Sequence, residues 1–158
     1  MPSEVPLNQA FWVLMFTMYL ITIAIETPIL LIGLSSRHSY GRRLFCGAWL
    51  TACTYPVVWL VLPALIDTRE QRWLYLLVAE SFAPIAECAI FWAAFGTREQ
   101  WGTRSMWRDL AVITLANLAS FGFGEVINRM GWMEKLREFL AVHTYNFSGS
   151  RSAAGLPS

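Results

Sequence analysis

The chain has 158 residues, of which 56% are hydrophobic and 15% charged, with a net formal charge of +1 and a mean hydropathy of +0.44. Soluble domains carry about 25% charged residues, so this composition excludes an ordinary soluble domain. The near-neutral balance gives no reason to expect nucleic acid as a partner.

Four apolar stretches follow one another: Phe11–Leu34, Leu44–Ile66, Trp73–Phe95 and Leu110–Ile127. Each is close to the roughly 20 residues that cross a hydrocarbon core, and a single segment in lipid satisfies its own backbone hydrogen bonds as a helix. A soluble four-helix bundle would show a polar stripe at helical spacing, and none is present. The expected fold is therefore all-α and polytopic, with four transmembrane helices at about 11–34, 44–66, 73–95 and 108–127 in one domain over residues 1–130. The lipid bilayer is its first partner.

The N-terminal tail, Met1–Gln9, has no Lys or Arg, and helix 1 is too long for a signal h-region, so no cleavable targeting peptide is expected. Helix 1 carries Glu26 and Pro28. Loop 1 (Ser35–Arg43) holds Arg37, Arg42 and Arg43. Helix 2 carries Thr51, Thr54 and Pro56, and loop 2 holds Arg69 and Arg72. Helix 3 carries Glu80, Pro84 and Glu87, and loop 3 (Gly96–Asp109) holds Arg98, Arg104 and Arg108. Helix 4 carries Asn117, Ser120 and Glu125, with Gly122 and Gly124 expected to allow close packing. The Arg distribution favours loops 1 and 3 in the cytoplasm and both termini outside, as in a bacterial inner-membrane protein. Basic residues after helix 4, at Arg129, Lys135 and Arg137, reduce that bias.

Residues 131–143 alternate Trp132, Met133, Leu136, Phe139 and Leu140 with charges, the pattern of a short amphipathic helix in the membrane interface. Residues 144–158 read as a flexible tail. Trp12, Trp73, Trp101, Trp107 and Trp132 fall near helix ends, where an aromatic belt belongs. Cys46, Cys53 and Cys88 lie within helices and read as small packing residues.

The polar residues inside the helices form a pattern that occurs twice. Glu26, Arg42, Thr51 and Thr54 make one set; Glu87, Arg108, Asn117 and Ser120 make the other. The glutamates are 61 residues apart and the other three pairs 66 apart, so one longer loop accounts for the offset. The expectation is two tandem two-helix repeats. Counting along the helices puts both acids, Thr51 and Asn117 roughly 10–12 Å below the loop 1 and loop 3 surface. A carboxylate at that depth costs about 2.5 kcal/mol or more unless protonated, paired or wet. Thr, Ser and Asn on neighbouring helices can supply the missing hydrogen bonds.

The candidate ion or proton site is thus Glu26, Glu87, Thr51, Asn117, Thr54 and Ser120, extended along helix 3 by Glu80, with Arg42 and Arg108 at its mouth. Whether a metal takes part is open at this stage. No cofactor is expected: no lysine lies in any transmembrane helix, His38 and His143 lie outside them, and no phosphate-cradling glycine loop is present. The same inventory lacks a catalytic constellation, so no enzymatic activity is expected.

Thr51-x-x-Thr54-Tyr55-Pro56-x-x-Trp59-x-x-x-Pro63, with Glu87 followed by Asn117-x-x-Ser120-x-x-x-Gly124, resembles small four-helix bacterial integral membrane proteins of unassigned function. In that group an Asn often stands where Thr51 does here, and the resemblance implies no activity. The architecture is also similar to small multidrug-resistance transporters. Glu26 lies late in helix 1, however, and the repeat has no counterpart there, so their activity is not carried over. Two functional expectations remain. One is a proton- or cation-coupled transporter or permeation subunit; the other is an accessory or assembly subunit of a larger membrane complex or homo-oligomer.

Overall fold

A computed structural model of the chain describes residues 9–132 and 135. The amphipathic helix expected at 131–143 and the tail at 144–158 lie outside these residues, apart from Gly131, Trp132 and Lys135. Among the described residues every regular element is helical and none is a strand. Four helical segments are long and apolar enough to cross a membrane: Phe11–Gly33, Tyr40–Leu65, Arg72–Phe95 and Arg104–Arg129.

Helix α1 (Gln9–Gly33) is predominantly apolar, with Glu26 its one charged residue. Helix α2 (Tyr40–Pro56) opens earlier than hydropathy alone indicates, because the Ser39 hydroxyl caps it by accepting from the Arg42 backbone N–H at 3.3 Å. Arg42 and Arg43 are therefore helical residues. The second span then changes pitch. A π-helical turn (Val57–Val61) follows Pro56, and α3 (Leu62–Leu65) completes the crossing.

Prolines explain where one carbonyl goes. In the π turn the Leu62 N–H bonds Val57 O, so it is withdrawn from Val58 O, its ordinary α-helical acceptor. The next residue, Pro63, has no N–H to offer. The Tyr75 hydroxyl, from α4 (Arg72–Phe95), donates to Val58 O at 3.2 Å and fills that gap. Between α4 and α5 (Arg104–Arg129), a single 3₁₀ turn at Arg98–Gln100 is closed by a capping box: the Thr97 N–H donates to the Gln100 side chain at 3.1 Å, and the Thr97 hydroxyl accepts in return.

The described chain divides into two compact units, residues 19–123 and a second made of residues up to 18 and from 124. The larger unit contains the buried core of Leu30, Leu34, Cys46, Leu50, Phe91, Ile113 and Ala116, one contribution or more from each of the four spans. Close approach within it depends on two glycines. A Cβ on Gly47 would run into Thr27 of α1, its backbone included, and one on Gly33 would strike the Val112 side chain of α5. Gly122 and Gly124 do not act this way, because a Cβ at either would meet open space. The close packing expected there is absent because those residues face away from the neighbouring described helices. The tryptophans expected at helix ends, Trp12, Trp73, Trp101, Trp107 and Trp132, are exposed, while Trp49, Trp59 and Trp92 are half-buried.

Candidate functional site

Both intramembrane glutamates are buried, each 2% exposed, together with Thr51, Thr54 and Asn117. All four carboxyl oxygens are engaged. Glu26 Oε2 is 2.7 Å from Thr51 Oγ1 on α2, and Glu26 Oε1 is 2.6 Å from Ser120 Oγ on α5. Glu87 Oε1 is 2.8 Å from Thr54 Oγ1 on α2, and Glu87 Oε2 accepts from Asn117 Nδ2 on α5 at 2.7 Å. Each acid thus takes one partner from α2 and one from α5. The four residues do not sort by proximity in sequence, since Ser120 belongs with Glu26 and Thr54 with Glu87.

The local reasons lie in the helix register. Thr51 and Thr54 are three apart, so α2 shows one polar edge to both α1 and α4; Asn117 and Ser120 give α5 the same edge. Gly47, one turn before Thr51, lets α2 come close enough to α1 for the Thr51 hydroxyl to reach Glu26. The two carboxyls bond residues three apart on the same two helices, Thr51 and Thr54 on α2 and Asn117 and Ser120 on α5, so they are neighbours in the bundle.

Glu80, two turns before Glu87 on α4, is half-buried and is not among the groups bonded to either acid. Arg42 and Arg108 do not reach the acids. The Arg42 guanidinium lies over the Phe95 ring, 5.1 Å from its centroid, and Arg108 Nε donates to Gly33 O at 2.8 Å, closing the end of α1. Between these arginines and the acids stands the apolar core. Leu30 and Leu34 follow Glu26 by one and two turns, Phe91 follows Glu87 by one, and Ile113 precedes Asn117 by one. A mouth at this end is closed by hydrocarbon. An open depression of about 700 Å³ does lie on the surface there, lined by Ser35, Ser36, Arg104, Ser105, Trp107 and Arg108, and none of the candidate acids borders it.

A second polar cluster, invisible to the repeat pattern, sits in the loop 1 region. Asp109 of α5 is fully buried and accepts from the Ser35 backbone N–H at 2.6 Å, the Ser35 hydroxyl at 2.9 Å and the Arg37 guanidinium at 2.8 and 3.1 Å. His38 Nε2 lies 3.2 Å from the same carboxylate, and its ring packs edge-on against Phe91. Burial holds the His38 imidazole below its ordinary value of 6.5; Asp109 pulls upward, and Arg37 and Arg42 add to the lowering. Arg43 bonds the carbonyls of Leu31, Ser35 and His38. Asp109 and Arg43 flanked predicted site residues in the sequence, but nothing in their spacing distinguished a buried clamp from ordinary loop charges.

Comparison with family models, curated proteins and solved structures gave no match to this chain. Among the described residues no three His, Cys, Asp or Glu side chains gather as a metal-binding group. What the arrangement offers chemically is two buried acids, each held by neutral donors, with no basic side chain among the described residues bonded to either.

Proposed function

We propose that this is an integral membrane protein whose Glu26–Glu87 centre takes up and releases a proton or cation, as a transporter or permeation subunit. One observation carries the reading. Among the described residues every donor to the two carboxyls is neutral, so no fixed counter-charge is bonded to either acid. A buried ion pair with Arg or Lys would have indicated a fixed structural bridge instead. Intramembrane acids left without a fixed counter-charge mark ion pathways in membrane proteins generally.

The crossed hydrogen bonding supports the tandem repeat as the origin of the centre. Glu26 pairs with Thr51, and Glu87 with Asn117, the corresponding position of the second copy; the cross-partners Ser120 and Thr54 correspond as well. Two copies related by an axis along the membrane normal would place two equivalent acids facing that axis from opposite sides. Exchange with the loop 1 and loop 3 side requires the layer of Leu30, Phe91 and Ile113 to open.

The test is ion flux in proteoliposomes. Glu26→Gln with Glu87→Gln is expected to abolish ion-dependent flux while the protein still purifies as a folded, monodisperse species. Unchanged flux would overturn the reading and favour the accessory-subunit role, with a co-purifying membrane partner as its signature.

A further inference from the structure

We infer that the species exchanged at this centre is the proton, and that Thr51, Thr54 and Ser120 act as two-position hydroxyl switches that accommodate its arrival and departure. The inference rests on the proposed ion-exchange function and specifies its substrate.

The observation is an excess of acceptors. A hydroxyl has one hydrogen to donate, yet each of these three faces two acceptors. Thr51 Oγ1 is 2.7 Å from Glu26 Oε2 and 2.9 Å from Gly47 O. Ser120 Oγ is 2.6 Å from Glu26 Oε1 and 3.0 Å from Asn117 O. Thr54 Oγ1 is 2.8 Å from Glu87 Oε1 and 3.3 Å from Leu50 O. When an acid is protonated, its O–H donates to the hydroxyl oxygen, and the hydroxyl hydrogen turns to the backbone carbonyl. When the proton leaves, the hydroxyl rotates and donates to the carboxylate. Neither state strands a buried polar atom. The abandoned carbonyls sit one turn back on the same helix, where an acceptor with two lone pairs already serves the helical ladder.

Asn117 separates the proton from a metal cation. Its Nδ2 also donates to Ile113 O at 3.1 Å, and a carbonyl at that distance fixes the amide with its nitrogen toward Glu87. The residue therefore presents a donor where a cation would need an oxygen ligand. It also confines the Glu87 proton to Oε1, the oxygen facing Thr54. Among the described residues the groups facing the acids are Thr51 and Thr54 from α2, Asn117 and Ser120 from α5, and each acid toward the other from α1 and α4, with no Arg, Lys or His bonded to either.

The test is an infrared titration of the full chain in nanodiscs, reading the protonated-carboxyl C=O band. The band is expected to appear and vanish reversibly between about pH 4 and pH 10, and to be lost in Glu26→Gln with Glu87→Gln. Thr54→Val is expected to bind the proton roughly tenfold more tightly, because the ionised acid loses a charge-assisted bond, and Thr54→Ser to restore the original midpoint. A band that never titrates, or a midpoint indifferent to Thr54→Val, overturns the inference. So does displacement of the band at constant pH by sodium, potassium or calcium, which would leave the transport reading standing with a metal cation as its ion.

Discussion

Asn117 uses one amide hydrogen on Ile113 O and one on Glu87 Oε2, so that oxygen accepts whatever the protonation state of the acid. Glutamine at position 87 reproduces this pattern. Its carbonyl accepts from Asn117, and its amide donates to Thr54 Oγ1, whose hydrogen then turns to Leu50 O. Alanine leaves the Asn117 N–H without its acceptor and opens a hole between helices. Glu87→Gln is therefore expected to unfold thermally in detergent close to the parent protein, and Glu87→Ala to lose about 1–3 kcal/mol from the stranded donor alone. Equal losses in the two variants would mean that the charge, not the hydrogen-bond pattern, holds the helices. Glu26 follows the same logic with more freedom, because both of its partners are hydroxyls that donate or accept.

At the scale of elements, the end of α1 is tied down by groups that hydropathy treats as loop charges. Arg43 from α2 and Arg108 from α5 satisfy carbonyls of its last turn and just beyond, Leu31, Gly33 and Ser35, while Asp109 gathers Ser35, Arg37 and His38 against α5. This clamp carries a pH dependence with a defined sign. His38 is held neutral in the fold, with a folded value below 6.5. The unfolded chain therefore binds a proton first as pH falls. The stabilising contribution is full above about 6.5, declines below it and is lost through the folded value. Thermal unfolding followed from about pH 8 to pH 5 should show this decline, and His38→Gln should flatten it relative to the parent. A stability advantage of the parent over His38→Gln that shrinks with rising pH would contradict the sign. The second span shows a related effect of backbone chemistry: Pro56 and Pro63 bracket the π turn, and Tyr75 supplies the bond that Pro63 does not make.

For the whole molecule, bonds from Ser35 to Asp109 and from Gly33 to Arg108 bring loop 1 and the start of α5 to one end. Arg37, Arg42, Arg43, Arg98, Arg104 and Arg108 belong to that end, against Arg69 before α4, Arg72 at its start, and Arg129, Lys135 and Arg137 at and after the end of the fourth span. The positive-inside rule then predicts a cytoplasmic face. In a background with the three native cysteines replaced, Ser36→Cys should react with an impermeant maleimide only in inside-out vesicles, and Arg69→Cys only from the outer face. Labelling of both positions from both sides would indicate dual topology.

The four spans were legible in the sequence because length and apolarity decide membrane crossing locally, without reference to any neighbour. The polar residues of the site were legible for the same reason: a carboxylate inside hydrocarbon stands out wherever it occurs, and register fixed its depth. Their partners were not. Matching depth put Glu26 level with Thr51 and Glu87 level with Asn117, but a nearly all-apolar helix gives little information about its facing. Only packing could decide that Ser120 reaches Glu26 and Thr54 reaches Glu87. Packing also turned Arg42 and Arg108 from a mouth into helix-end contacts above an apolar layer. Asp109 lay hidden for the converse reason: beside the loop arginines its charge looked solvated, and burial depends on which surfaces meet in three dimensions.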